Sequence, residues 1–415
     1  MTSTSPLPRL GASAGDPPLI ARGGARFWRV NFALFLGSFA TFAALYCVQP
    51  LMPGFASAFS ISPAAASLSL SATTGVLAVA MAFAGTASDI IGRKAVMTAS
   101  LAATAAATLA AAFSPDWTTL IVLRALTGLA LSGVPAVAMA YLAEEMDRSA
   151  IGLAMGLYIA GNTLGGMAGR LGGAAIADVG GWRAAFAVVG LISLGSAVLF
   201  ALALPRERRL APKARPTALL PAIRMHFGDP GLRYLFALGF LLMGAMVTTY
   251  NYIGFRLAQP PFSLSQSAIG FVYSIYLVGA VSSAVMGDLA GRYGRRRVIG
   301  AAIVLMPIGI LLTLPDSLAL TILGVGVLTA GFFGGHSIAS SWVGLRAETA
   351  KAQASALYLF FYYVGSSLAG SFGGWVFAAD GWTGVAAFVG ALSALALAVA
   401  VKLARVAPPA RLPAT

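Results

Sequence analysis

The chain has 415 residues, of which 59% are hydrophobic and only 10% charged, and a formal net charge of +14. Soluble domains carry about 25% charged residues, so this composition excludes an ordinary cytosolic protein, and its hydrophobicity excludes a disordered one. A single cysteine, Cys47, rules out an intrachain disulfide, and no Cys/His cluster offers a metal site.

Residues 1–28 are rich in Pro, Gly and Ser, with Arg22 and Arg26 near their end, and are read as a disordered cytoplasmic tail. Gly11-Ala-Ser-Ala-Gly15 in that tail fits G-x-S-x-G but lacks a strand–turn–helix setting and is taken as coincidence. From Phe32 onward, apolar runs near 20 residues alternate with short polar breaks. The first run continues to Gln49 and Pro50, longer than the apolar core of a cleaved signal, and is read as a retained helix.

Twelve candidate spans follow, centred near Phe39, Val76, Ala103, Ala130, Gly161 and Ile192, then near Met243, Tyr276, Leu305, Leu328, Gly365 and Ala391. Lipid leaves no backbone group unpaired, so runs of this length are helices. Barrel strands would show alternating segments of about 10 residues, which are absent. The expected fold class is an all-α membrane protein with twelve transmembrane helices.

Twelve spans place both termini and every even-numbered connection on one side. That side collects 23 of the 27 Lys and Arg residues, and only Arg124, Arg170, Arg183 and Arg256 fall elsewhere. By the positive-inside rule both termini are cytoplasmic. The basic balance is thus a topology signal, and a nucleic-acid partner is not expected.

The one long polar break, 205–231, holds Arg206, Arg208, Arg209, Lys213, Arg215 and Arg224 and reads as a cytoplasmic linker near anionic headgroups. The sequence repeats across it at an offset of about 200 residues. Gly85-Thr-Ala-Ser-Asp89-Ile-Ile-Gly92-Arg93-Lys94 returns as Gly287-Asp-Leu-Ala-Gly291-Arg292-Tyr-Gly294-Arg295-Arg296. Leu157-Tyr158 recurs as Leu357-Tyr358, and Gly172-Gly173, Asp178 and Trp182 as Gly373-Gly374, Asp380 and Trp382. Two six-helix bundles, 29–204 and 232–405, with a short tail at 406–415, are therefore expected. Parallel repeats about an axis along the membrane normal belong to secondary transporters, with the solute site between the halves.

These residues resemble the major facilitator superfamily. The 85–94 segment is similar to that family's signature between its second and third helices, G-x-L-a-D-r-x-G-r-k. It keeps Gly85, Asp89, Gly92, Arg93 and Lys94, with Ala87 for the leucine and Ile90 for the arginine. The second copy keeps Gly287, Arg292, Gly294, Arg295 and Arg296, with Gly291 in place of the acid. Leu45-Tyr-Cys-Val-Gln-Pro50, Gly156-Leu-Tyr-Ile-Ala-Gly-Asn162 and Asn251-Tyr-Ile-Gly254 resemble a YnfM-type group of inner-membrane transporters beside the drug and sugar efflux permeases. The resemblance implies the major facilitator fold, a bacterial inner-membrane location and proton-linked efflux of a small organic solute. It also implies a conformational latch at both signature copies, with Asp89 favouring the state closed on the cytoplasmic side.

Arg124, in Leu120-Ile-Val-Leu-Arg124-Ala-Leu-Thr-Gly128, resembles an arginine that the antiporter branches link to proton coupling; the plainer reading is a tie to carbonyls or Tyr hydroxyls. A buried cation in hydrocarbon is functional by default. Gly161, Gly165, Gly169 and Gly173 form a stripe for close helix packing, with Asn162 where the antiporter motif has proline. Arg170 either faces an anion, substrate carboxylate or polar cage, or snorkels to the interface. His336 is a candidate proton site or simply a hydrogen-bonded helix histidine.

Tyr46, Gln49, Tyr158, Asn162, Tyr250, Asn251, Tyr252, Tyr273, Tyr276, Tyr358 and Tyr362 are candidate cavity-lining groups, suited to sugars or amphipathic organics. Trp28, Trp117, Trp182 and Trp382 read as interfacial anchors. All thirteen Asp and Glu residues fall in tails, loops or helix ends, which favours a neutral or anionic solute over a lipophilic cation. No catalytic residues and no cofactor are expected. The expected partners are the bilayer, a small solute and protons, with the proton gradient as energy source and the chain acting as a monomer.

Overall fold

The structure, a computed structural model, describes residues 19–207 and 219–407. The predicted tail up to residue 18, positions 208–218 of the linker and positions 408–415 lie outside the described residues. Among the described residues the regular structure is helical, apart from one isolated bridge between Ile20 and Met146.

In chain order the helices are α1 (Ala25–Tyr46), a short α2 (Met52–Phe59), α3 (Pro63–Ile91), α4 (Arg93–Ala111), α5 (Trp117–Leu131), α6 (Gly133–Glu145) and α7 (Arg148–Ala203). A short α8 (Leu219–Gly228) precedes α9 (Pro230–Ala258), α10 (Gln266–Tyr273), a 3-10 turn (Ser274–Leu277), α11 (Val278–Tyr293), α12 (Arg295–Leu312), α13 (Leu318–Arg346) and α14 (Lys351–Arg405). Side chains that accept from otherwise unpaired first-turn amides set many of the starts. Ser62, Asp116 and Asp147 cap α3, α5 and α7 in this way, and Asp229, Ser265 and Ser317 cap α9, α10 and α13. Pro63 and Pro230 occupy first helical positions, where the missing N–H costs nothing.

Among the described residues, nine helical stretches are long and apolar enough to cross a membrane, with α5–α6 and α10–α11 each counting once. Every predicted span centre lies in helical structure: Gly161 and Ile192 share α7, Gly365 and Ala391 share α14, and Leu305 lies in α12. Neither of the 55-residue apolar stretches is continuous. Gly181 (φ 73°) interrupts α7, and Asp380 with Gly381 (φ 56°) interrupts α14. Only glycine takes such positive φ without strain.

The glycine stripe lets α7 lie directly on the α1 backbone. A Cβ on Gly165 would fall 2.2 Å from the Phe39 carbonyl oxygen, and one on Gly169 would fall 2.4 Å from that of Ala43. The same device joins α14 to α9, where a Cβ on Gly365 would fall 2.2 Å from the Phe240 carbonyl oxygen.

The start of α1 meets the end of α7, and the start of α12 and the end of α13 meet the end of α14. Arg29 Nε donates to the Ala203 carbonyl at 2.7 Å, Arg296 Nη2 to that of Val406 at 2.8 Å, and Arg346 pairs with Asp229 at 2.7 Å. The hydrogen bonds joining α1–α7 to α9–α14, among the described residues, lie at the opposite side. They include Gln49 to Asn251, Gln266 to the Pro50 carbonyl, Ser267 to Asp178 and Ser367 to the Ser71 carbonyl, with the Ser67–Tyr252 and Arg170–Tyr276 side-chain pairs beside them. Among the described residues, these hydrogen bonds clasp the helices at the far side.

Two expectations need correction. The end of the predicted tail is structured: Ile20, 3% exposed, exchanges backbone hydrogen bonds with Glu145 and Asp147, and α1 already begins at Ala25. Trp182 and Trp382 are buried rather than turned to the lipid interface. Trp182 packs on Phe55, Phe59 and Phe186, and the Trp382 indole N–H donates to Thr313 Oγ1 at 2.9 Å. In both places an internal aromatic or hydroxyl partner outcompetes the headgroup layer.

Candidate functional site

Arg124 is completely buried on α5. Its guanidinium donates to three carbonyls, Ser69 of α3 at 2.9 Å and Ala44 and Leu45 of α1 at 3.0 Å each. The last two belong to the end of α1, where carbonyls lose their intrahelical partners and the helix dipole favours a cation. Thr73 Oγ1 donates to the Arg124 carbonyl at 2.9 Å, so the arginine ties α1, α3 and α5 together. The structure thus places Arg124 in the structural tie to carbonyls.

Arg170, 2% exposed, sits on α7 and does not snorkel. Nε donates to Gln49 Oε1 at 2.6 Å and Nη1 to the Gly166 carbonyl at 2.9 Å. Its guanidinium carbon lies 4.1 Å from the Tyr46 ring centre, 4.5 Å from Tyr276 and 5.6 Å from Tyr250. Among the described residues no carboxylate pairs with Arg170 or Arg124. Met243, Met246 and Val247 of α9 complete the wall of a small cavity around this cage. Gln49 continues the network, donating from Nε2 to Asn251 Oδ1 of α9 at 2.9 Å. A chain of polar contacts therefore runs from α7 through the end of α1 to α9. Tyr276 belongs to the 3-10 turn, a local overwinding of the kind that marks hinges.

His336 anchors a second cluster. Its Nδ1 lies 2.9 Å from the Tyr358 hydroxyl, and its ring packs on Phe332 and Tyr362. Tyr362 in turn packs edge-on against Tyr363, with ring centres 5.2 Å apart. Tyr158 is buried nearby on α7, its carbonyl accepting from Ser38 Oγ at 3.1 Å, and Asn162 Oδ1 has no hydrogen-bond partner.

Two of the predicted lining groups are turned elsewhere. Tyr252 donates to the Gly370 carbonyl at 2.7 Å and stacks on Phe377, and Tyr273 donates to the Tyr250 carbonyl at 2.8 Å. Tyr250 itself shares a hydrogen bond with Thr329 at 2.9 Å. The structure thus gathers Tyr46, Gln49, Arg170, Tyr250, Asn251 and Tyr276, and leaves Arg124 in a carbonyl cluster of its own.

At the first signature copy, Gly85 is open and Gly92 (φ 106°) makes the turn between α3 and α4. Asp89 pairs with Arg93 at 3.1 Å, and Arg93 grips Glu144 of α6 with bonds of 2.5 and 2.6 Å. Glu144 is the partner the sequence reading missed; its only signal was an acid ending a span on the same side as Arg93. Lys94 donates to the Leu204 carbonyl. At the second copy Asp288, not position 291, supplies the acid, pairing with Arg292 at 2.9 Å. Gly287 is open there, Gly294 (φ 87°) makes the turn, and Arg292, Arg295, Arg296 and Arg346 line a basic cleft of about 750 Å³.

The Major Facilitator Superfamily pattern matches residues 34–260 and 255–415. The inner membrane transport protein YnfM of Escherichia coli is 46% identical over 387 residues, covering 93% of each chain. An uncharacterised MFS-type transporter, YybF of Bacillus subtilis, is 44% identical over 387 residues, covering 93% of this chain and 96% of its own. The solved structure of a D-xylose–proton symporter superposes with a TM-score of 0.75 at 14% identity, covering 91% of this chain and 98% of that one. The relatives are transporters, not enzymes. With an all-helical fold shared with solved facilitators and near-complete coverage by such relatives, the chain belongs to the Major Facilitator Superfamily.

Proposed function

We propose that this transporter moves a small neutral or anionic organic solute by alternating access, in the export direction and against proton entry. The observation that carries the reading is Arg170, a buried cation in an aromatic cage between the two bundles with, among the described residues, no carboxylate paired to it. Such a site repels lipophilic cations and accepts electron-rich or anionic groups.

Twelve passes follow from the helix lengths. At 1.5 Å per residue, a 55-residue helix would reach about 80 Å, far beyond the roughly 30 Å hydrocarbon core. The breaks at Gly181 and Gly381 fold each into two passes, and α12 supplies the remaining one. The basic residues then set the side of the chain ends as cytoplasmic, with bundles 29–204 and 232–405 and the linker 205–231. In this orientation the far-side clasp is periplasmic. The inner-membrane location rests on the name of the E. coli relative. The protein acts as a monomer with the proton gradient as its energy source, and His336 is the proton-carrying candidate.

A second reading is an uncoupled facilitator or importer, favoured by the absence of any carboxylate in the arginine cage. Proteoliposomes with an imposed pH gradient separate the two readings. A panel of organic acids, sugars and dyes should produce solute-dependent proton flux. Solute flux indifferent to the gradient would refute coupling and support the facilitator.

A further inference from the structure

The Arg170 cage carries more than a preference for one sign of charge. Nε of the guanidinium donates to Gln49 Oε1 and Nη1 to the Gly166 carbonyl, and Tyr276 shares a side-chain hydrogen bond with the same group. Nε and Nη2 form the edge of the fork that a carboxylate grips with two parallel bonds. Only neutral groups hold the guanidinium, and the Nε end of that edge rests on an amide oxygen. The same amide, through Nε2, donates to Asn251 Oδ1, and among the described residues this is the hydrogen bond that ties α9 to the loop after α1. Asn251 Nδ2 is buried without a partner, so Asn251 has no second tie of its own. Beside the guanidinium the wall is apolar, formed by Met243, Met246 and Val247, with Tyr46 and Tyr276 facing the cation.

We propose that Arg170 recognises the carboxylate of a small amphipathic organic acid, and that this carboxylate replaces Gln49 on the Nε–Nη2 edge and so releases the Gln49–Asn251 tie between the bundles. The assignment rests on the reading of this space as the solute path and names the solute class. A charged acceptor outcompetes a neutral amide oxygen for a desolvated guanidinium. It also supplies the counter-charge that a cation buried in a membrane protein otherwise lacks. The Met, Val and Tyr wall, which encloses only about 10 Å³ with the clasp in place, takes the apolar body of the acid as the helices part. Binding then removes one of the polar contacts of the far-side clasp, which couples occupancy to opening of that side.

The test uses the full chain purified in detergent, with benzoate, phenylacetate and cinnamate each set against its primary amide. The acids should raise the unfolding temperature and the amides should not. Arg170→Gln should weaken acid binding by about thirtyfold or more, and Arg170→Lys, which keeps the charge without the fork, should weaken it by less. The release step is read separately with Ser71→Cys in a Cys47→Ser background. Ser71 is buried at the far-side contact, its carbonyl accepting from Ser367 Oγ at 2.8 Å. Acids should speed labelling of the introduced thiol by a bulky thiol reagent, and Gln49→Ala should speed it without any acid. Equal shifts from acids and amides, no shift from any acid, or acid shifts undiminished in Arg170→Gln would overturn the recognition. Labelling of the Ser71→Cys variant that acids leave unchanged would overturn the release. Exchange of another solute that persists in Arg170→Gln would overturn the assignment and leave the transporter reading standing.

Discussion

Replacing Gly165 by alanine is the sharpest perturbation of the α1–α7 contact. The new Cβ would sit 2.2 Å from the Phe39 carbonyl oxygen and 2.6 Å from Phe39 Cα. Carbon–oxygen contacts settle near 3.3 Å, so the two helices must part by about 1 Å. A gap of that size forfeits a quarter to a half of each dispersion contact it opens. The loss extends along the stripe to Gly161 and Gly169, which touch the same helix. Overpacking of this kind costs about 1–3 kcal/mol, partly offset by up to about 1 kcal/mol of helix propensity. The net loss should be about 1–2 kcal/mol. Gly172→Ala is the control on the same helix, because nothing lies within 4 Å of its added Cβ. Only the propensity gain remains there, so that variant should be neutral or slightly more stable. Unfolding in mixed micelles measures both. Equal stability of the two variants would refute the close-packing argument.

Three further outcomes are expected. Arg124→Met leaves the Ala44 and Leu45 carbonyls without their donors, at about 1–3 kcal/mol each; unfolding at the wild-type midpoint would contradict the tie described for Arg124. Glu144→Gln should cost about 1 kcal/mol and Asp89→Asn less, because Glu144 holds Arg93 through two bonds of 2.5 and 2.6 Å whereas the Asp89 side chain is 40% exposed. The reverse order in the same unfolding assay would contradict this. If His336 carries the proton, His336→Gln should flatten the dependence of solute flux on pH, and an unchanged profile would confine His336 to its hydrogen bond with Tyr358.

Much of the architecture is legible in the sequence because lipid simplifies the problem. Apolar length alone locates the helices, and the regular spacing of Gly161, Gly165, Gly169 and Gly173 marks a packing face before its partner is known. The buried arginines also stand out, since few charges interrupt the spans. Their roles do not, because a role depends on what the neighbouring helices present. Arg124 finds the end of α1, a partner that leaves no side-chain signature. Arg170 finds Tyr46, Gln49, Tyr250 and Tyr276 from three other segments. The run Tyr250-Asn251-Tyr252 shows the limit plainly. Successive helical residues point about 100° apart, so the three cannot all face one cavity, and composition cannot say which turns away. In the fold Tyr252 packs on Phe377, while Asn251 reaches Gln49. Trp182 and Trp382 mislead for the same reason, their internal partners Phe55 and Thr313 being distant in sequence.

The most direct test of the account is solute counterflow in proteoliposomes. Vesicles loaded with unlabelled p-aminohippurate, an aromatic carboxylate that stays charged at neutral pH, are diluted into a trace of the labelled compound. A carrier built around Arg170 predicts transient accumulation of label above equilibrium, inhibited by benzoate and not by benzamide, and abolished in Arg170→Gln. Accumulation no greater than in protein-free vesicles, or undiminished in Arg170→Gln, would contradict it.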